Sequence, residues 1–257
     1  MSGPEALVDV SRDLLWLHAL VFLRVAPMIA LFPGFGERSV PMRIKLGLAL
    51  ALAAIVTPAV APDLLPALPR EAGLVRPILV ETGIGAALGI GLRLFVLALQ
   101  TAGMIAAQAT SLSQILGTAG VTPMPAMGHL LLSGALALAM SLGLHLRLAE
   151  MAVTSYLWLP LGQIPAAAAV AQWGIARVAQ AFGFAFTLAA PFAIASMLYN
   201  LTLGIINRAM PQLMVVFVGA PAITAAGLVL LMLFAPTMIG LWIGALGDFL
   251  ADPLGGR

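Results

Sequence analysis

A polytopic, all-α membrane protein is the fold class this sequence predicts, and three observations carry the prediction. Of the 257 residues, 62% are hydrophobic and 9% are charged, with a mean hydropathy of +1.09. Soluble domains carry about 25% charged residues, so this chain has too few to cover a water-facing surface. Apolar stretches close to or beyond the ~20 residues that a helix needs to cross hydrocarbon recur along its length. Proline and glycine gather between those stretches and interrupt the longest of them.

Charge and cysteine narrow the class further. The formal net charge is +2, and no basic patch exists to track phosphates, so the isoelectric point near 9.7 does not point to nucleic acid. With no cysteine, disulfides and thiolate metal sites are excluded. Glu5 and Asp9 precede Arg12, the wrong sign for a secretory leader, so the first apolar segment reads as retained rather than cleaved.

The expected architecture is about six apolar helices arranged as hairpins, with kinked or broken long helices. The segments are Leu14–Phe32, Ile44–Val60, Ile78–Leu99, His129–Leu148, Val178–Ile206 and Leu213–Leu246. The last two exceed one crossing, and Pro191, Pro221 and Pro236 inside them predict kinks or breaks. Most faces of these helices are apolar, so periodicity does not orient them.

Segment one holds Arg24 in mid-span, followed by Pro27. A guanidinium keeps its charge in a protein and is expensive in hydrocarbon, so Arg24 needs a partner. Two remain open: a contact to another subunit, or Glu81 or a carbonyl within this chain. Pro33, Gly34 and Gly36 then predict a turn. Behind it Glu37, Arg38, Arg43 and the only lysine, Lys45, form the densest charge cluster. From Thr57 to Pro77 a proline-rich stretch reads as an exposed connection. Segment three contains Gly85 and Gly89, a small-xxx-small face that admits a close backbone, either within the chain or from a neighbour.

Polar residues without charge cluster from Gln100 to Pro125. At 100° per residue, Gln100, Thr101, Gln108, Ser111, Gln114 and Thr118 fall within an arc of roughly 140° on one helix. Such a stripe faces water, a pore or partner helices rather than lipid. Gly117, Gly120, Pro123 and Pro125 then break the helix into a loop. Further on, Tyr156 and Trp158 suit a membrane interface, and Pro160, Gly162 and Pro165 predict a turn. Trp173 and Arg177 anchor the start of segment five. Segments five and six meet at a polar knuckle, Asn207 to Gln212, where Pro211 ends the helix near Met210. On spacing alone Arg208, in that knuckle, is an interfacial anchor.

Two sets of residues carry a resemblance. Asn200, Gly204, Arg208, Pro211, Gln212, Phe217, Gly219 and Pro221 resemble the C-terminal signature of the FliR family of export-gate membrane proteins. Arg24, Pro27, Met28, Pro33, Pro41, Lys45 and Pro58 resemble its N-terminal signature. Met214 stands where the family usually has Asn, and Thr122 where an Asp precedes Pro123. The resemblance implies a structural and gating subunit of the flagellar type III protein export channel in the bacterial inner membrane. It further implies FliP-like, FliQ-like and FlhB-like partners, unfolded export substrates, and no cofactor. Residues 1–177 would be the FliP-like part and 178–257 a FliQ-like helical hairpin. Residues Gln108 to Pro125 (Gln108, Ser111, Gln114, Gly117, Thr118, Gly120 and Pro123 among them) would correspond to a loop that plugs the closed channel.

The search for enzyme chemistry finds no motif. His18, His129 and His145 lack metal-binding spacing, and Glu81 stands alone, so neither a carboxylate pair nor a multi-acid proton relay is supported. A self-contained small-molecule or ion permease is the competing reading. A permease usually places charge at the bilayer midplane on broken helices in two similar halves. No internal repeat is evident here, and the polar stripe is uncharged.

Overall fold

The structure, a computed structural model, describes residues 3–68, 73, 75–111, 126–210 and 215–255. Among them are seven helices: α1 (Gly3–Leu31), α2 (Met42–Leu64), α3 (Val75–Ser111), α4 (Ala126–Ser141), α5 (Leu144–Trp158), α6 (Ala167–Ala209) and α7 (Val215–Ala251). Five are long and apolar enough to cross a membrane. The bent pair α4 and α5 makes a sixth candidate if it counts as one span.

The predicted punctuation holds at the turns. Residues 32–40 leave the helix, Gly34 takes a left-handed φ of 91°, and Gly36 N–H donates to the Phe32 carbonyl at 2.7 Å. The helix α6 stops at Ala209, one residue before Met210 and two before Pro211. Inside the helices the prolines leave the helical run continuous. The helix α6 continues unbroken through Pro191, and α7 through Pro221 and Pro236. The helix α2 likewise runs past Pro58 and Pro62 to Leu64, so the exposed connection expected from Thr57 is shorter. An apolar setting offers no water to compete for the carbonyls that a proline frees, and neighbouring groups re-satisfy them. The break falls instead in the fourth segment, where Gly143 adopts φ 80° and turns the path by 71° between α4 and α5. A left-handed residue ends a helix, and glycine takes that conformation without steric cost.

The chain forms two compact units, each assembled from several pieces of sequence. The first comprises Met1–Leu94, Ala139–Arg177 and Leu246–Arg257. Its core includes Leu17, Leu20, Val25, Met28, Phe32, Val56 and Leu92, all at 0% exposure. The helix α3 lies directly on the backbone of α1 here. A Cβ on Gly85 would land on the Arg24 carbonyl oxygen, and one on Gly89 would lie 2.8 Å from the Pro27 carbonyl oxygen. The small-xxx-small face is therefore used internally. Three further contacts hold the unit. His18 Nδ1 meets Thr57 Oγ1 at 3.0 Å, and because Thr57 donates to the Ala53 carbonyl, His18 is the donor. Trp173 Nε1 donates to the Pro253 carbonyl at 2.8 Å, binding the chain end to α6. The Arg177 guanidinium sits 5.9 Å from the Phe249 ring centre.

The second unit comprises Phe95–Leu138 and Val178–Ala245. Gly103 and Gly128 face one another across α3 and α4, with no room for a Cβ on Gly103. Trp242 is fully buried, and its indole N–H donates to the Phe95 carbonyl at 2.8 Å.

Gly85→Ala is expected to lower stability in detergent by about 1–3 kcal/mol, the usual cost of overpacking. Gly83→Ala, whose added Cβ would meet nothing within 4 Å, should be neutral or stabilising by up to about 1 kcal/mol. Thermal unfolding followed by tryptophan fluorescence compares the two.

Candidate functional site

The most strongly built polar feature is a buried cluster in the first unit, centred on Arg24. The helix α1 carries this residue in a wholly apolar neighbourhood, yet its side chain has 0% exposure. Its Nε donates to Glu81 Oε2 on α3 at 2.6 Å, and that carboxylate is also fully buried. Its Nη1 donates to Ser155 Oγ on α5 at 3.1 Å. Its Nη2 donates to the Leu159 carbonyl at 2.9 Å. The Tyr156 ring lies 3.8 Å from the guanidinium carbon, a cation–π contact. The second oxygen of Glu81 accepts the Gly162 N–H at 2.9 Å.

Such saturation is what a buried ion pair requires. Removing two charges from water costs several kcal/mol each, and only good geometry with further hydrogen bonds offsets it. Each carboxylate oxygen has a donor, and each guanidinium nitrogen has an acceptor. Of the two partners left open for Arg24, the structure contains the internal one. The side chain has no exposed surface in this chain. The cluster therefore joins α1, α3, α5 and the turn at 159–162, and within it the buried Tyr156 hydroxyl has no hydrogen-bond partner among the described residues. Leu159 and Gly162 enter through backbone atoms and Ser155 through one hydroxyl, none of which carries a sequence signal. Tyr156, expected at an interface, is 6% exposed and lies beneath the guanidinium.

The charge cluster after α1 is a second junction. Arg93 Nη1 pairs with Glu37 Oε1 at 2.7 Å, with the two side chains 24% and 20% exposed. Lys45 Nζ donates to the Gly36 carbonyl at 3.0 Å. Both contacts pin the 32–40 turn, leaving Arg38 and Arg43 exposed. Pro33 is buried beside this turn and Pro27 is half-buried.

The polar stripe is only partly visible. The helix α3 extends through Ser111, with Gln100 and Thr101 half-buried and Gln108 exposed. Gln114, Gly117, Thr118, Gly120 and Pro123 lie outside the described residues. At the other end of the chain, Asn200 is exposed on α6 and donates to the Ser196 carbonyl at 2.9 Å. Gly204 has open space beside it. Arg208 is exposed in the last turn of α6. There a cation also complements the helix C-terminus. Pro211 and Gln212 lie outside the described residues, as do the side chains of Phe217 and Pro221 and the surroundings of Gly219.

Arg24→Leu leaves Glu81 buried and unpaired, and a loss of about 3–5 kcal/mol is expected for the isolated chain. The double change Arg24→Leu with Glu81→Leu should recover part of that loss. Thermal unfolding of each variant in detergent, before any partner is added, provides the measurement.

Comparison with known proteins gives this geometry a family. The sequence profile of bacterial export proteins, family 1, matches residues 15–249. A flagellar biosynthetic protein FliR from Caulobacter vibrioides is 33% identical over 229 residues, covering 88% of this chain and 91% of the relative. The protein of the same name from Escherichia coli is 31% identical over 239 residues, covering 89% and 88%. That of Bacillus subtilis is 27% identical over 229 residues, covering 85% and 86%. Continuous similarity over nearly the whole length, with Arg24, Lys45 and Arg208 inside the matched span, places the chain in family 1 of the bacterial export proteins, the FliR family.

Proposed function

We propose that this chain is a structural and gating subunit of the flagellar type III export channel, seated in the bacterial inner membrane. Family membership across residues 15–249 carries the reading: a FliR-family chain is a subunit of the flagellar export apparatus. A self-contained permease is not favoured, because the one fully buried ion pair among the described residues is saturated by its own neighbours.

Surface supports an assembling role. In the most apolar windows of α6 and α7, 28% and 22% of residues are buried within the chain, against 50% in α3. Phe182, Phe186, Ile194, Met197, Leu201 and Ile205 on α6 are each at least 58% exposed. Lipid or apolar partner helices must cover them. In this reading the partners are FliP-like and FliQ-like subunits, with an FlhB-like protein docked on them, and unfolded export substrates pass through the conduit. Residues 1–177 form the FliP-like part and 178–257 the FliQ-like hairpin. Asn200, Gly204 and Arg208 belong to the intersubunit surface, and Gln108 with the loop to Pro125 forms the plug. No cofactor or nucleic acid takes part.

Purification of the tagged chain from its native membrane in a gentle detergent is expected to bring down two small apolar subunits of the FliP and FliQ types. A stable, partner-free monomer would overturn the assembly reading. Deletion of Gly117–Pro125 should leave the complex intact and raise ion leakage through the membrane. Unchanged conductance in voltage-clamped bilayers would remove the plug.

A further inference from the structure

An apolar groove of about 690 Å³ runs along the first unit between α3 and the start of α6. Pockets of 300–1,000 Å³ are typical for small ligands. On α3 it is lined by Leu79, Gly83 and Ala87, and across from them by Ile164, Val170 and Trp173. Leu159, whose carbonyl accepts from Arg24, also lines it, so the groove borders the Arg24 cluster. The groove ends near Gly91, where the Trp173 and Phe249 rings lie 3.3 and 2.5 Å from the position a Cβ would occupy.

The other end differs in charge. Arg76 stands in the first turn of α3, and at spacings of 3, 7 and 11 residues it shares one helix face with Leu79, Gly83 and Ala87. It is exposed, and it forms no ion pair with an acidic group among the described residues. The N-terminus of α3 adds positive potential at the same place. From Arg76 to Ala87 the helix rises about 17 Å, close to the ~15 Å depth of a single bilayer leaflet. A cation at headgroup level and an apolar trough of one leaflet's depth together match one kind of molecule.

From this juxtaposition we infer that the groove between α3 and α6 holds an acyl chain of an anionic phospholipid, with the lipid phosphate on Arg76. A purely apolar partner helix would meet the same walls but would bring no anion to the exposed guanidinium. The lipid satisfies both features.

The chain contains no cysteine, so Gly83→Cys provides a single labelling site. A Cβ there meets nothing within 4 Å, so the variant should fold. The site is coupled to a benzophenone photocrosslinker in native membranes, with the whole complex present, and the adducts are weighed by mass spectrometry. Phospholipid adducts are the expected result. Attachment to a protein partner, or no adduct from fully labelled chain, overturns the proposal. In nanodiscs of equal phosphatidylglycerol and phosphatidylcholine, the adduct should favour phosphatidylglycerol by about fivefold. Arg76→Gln should abolish that preference while leaving acyl-chain crosslinking in place. Equal labelling of the two lipids by the chain with Arg76 intact would remove Arg76 from the site.

Discussion

The charge of Arg24 is the constraint on which the first unit depends. A guanidinium in an apolar interior has to be paired, and the pair has to be hydrogen-bonded at every polar atom. That demand recruits Glu81 from α3, Ser155 and Tyr156 from α5, and backbone groups from the turn that follows. Helices that apolar contact alone would let slide and rotate are thereby fixed in register. In hydrocarbon every apolar packing arrangement competes with lipid on nearly equal terms, so specificity must come from polar contacts and close shape fit. Arg24 supplies the first of these.

Glycine supplies the second. The backbones of α1 and α3 approach so closely at Gly85 that the Arg24 carbonyl occupies the space of a side chain. This crossing and the ion pair involve the same residues of α1, so each reinforces the other. Proximity brings Glu81 within reach of Arg24, and the ion pair holds the crossing against thermal separation.

Much of the architecture was legible in composition and punctuation, because the apolar runs, the turn at Pro33 to Gly36 and the end of α6 before Pro211 are local consequences of local chemistry. The proline-bearing helices were less legible. A proline ends a helix only where nothing takes up the carbonyl it frees, and at Pro58, Pro62, Pro191 and Pro236 the helical run continues. Gly143, one of 26 glycines, carries no mark that distinguishes it as the break. For the Arg24 site, the sequence narrowed the candidates to a neighbouring subunit or Glu81 and a carbonyl, but long-range packing decided between them. Ser155 and Gly162 lie 131 and 81 residues from their partners, and no spacing rule reaches so far. The signature at Asn200 and Arg208 was legible only through family resemblance, since those side chains lie on a surface that this chain alone does not explain.

The length of α6 has a consequence for how the cell must handle this chain. Forty-three helical residues make a rod of about 64 Å, roughly twice the hydrocarbon thickness. Even at a tilt of 40°, about 49 Å of it would stand along the membrane normal, well over what lipid tails can cover. Its most apolar window has a mean hydropathy of 1.8, and large exposed apolar side chains extend from Ile175 to Ile206. A newly made copy therefore cannot rest comfortably in lipid by itself. The part that stands beyond the lipid tails is still apolar, so a second covering surface besides lipid is what such a helix demands.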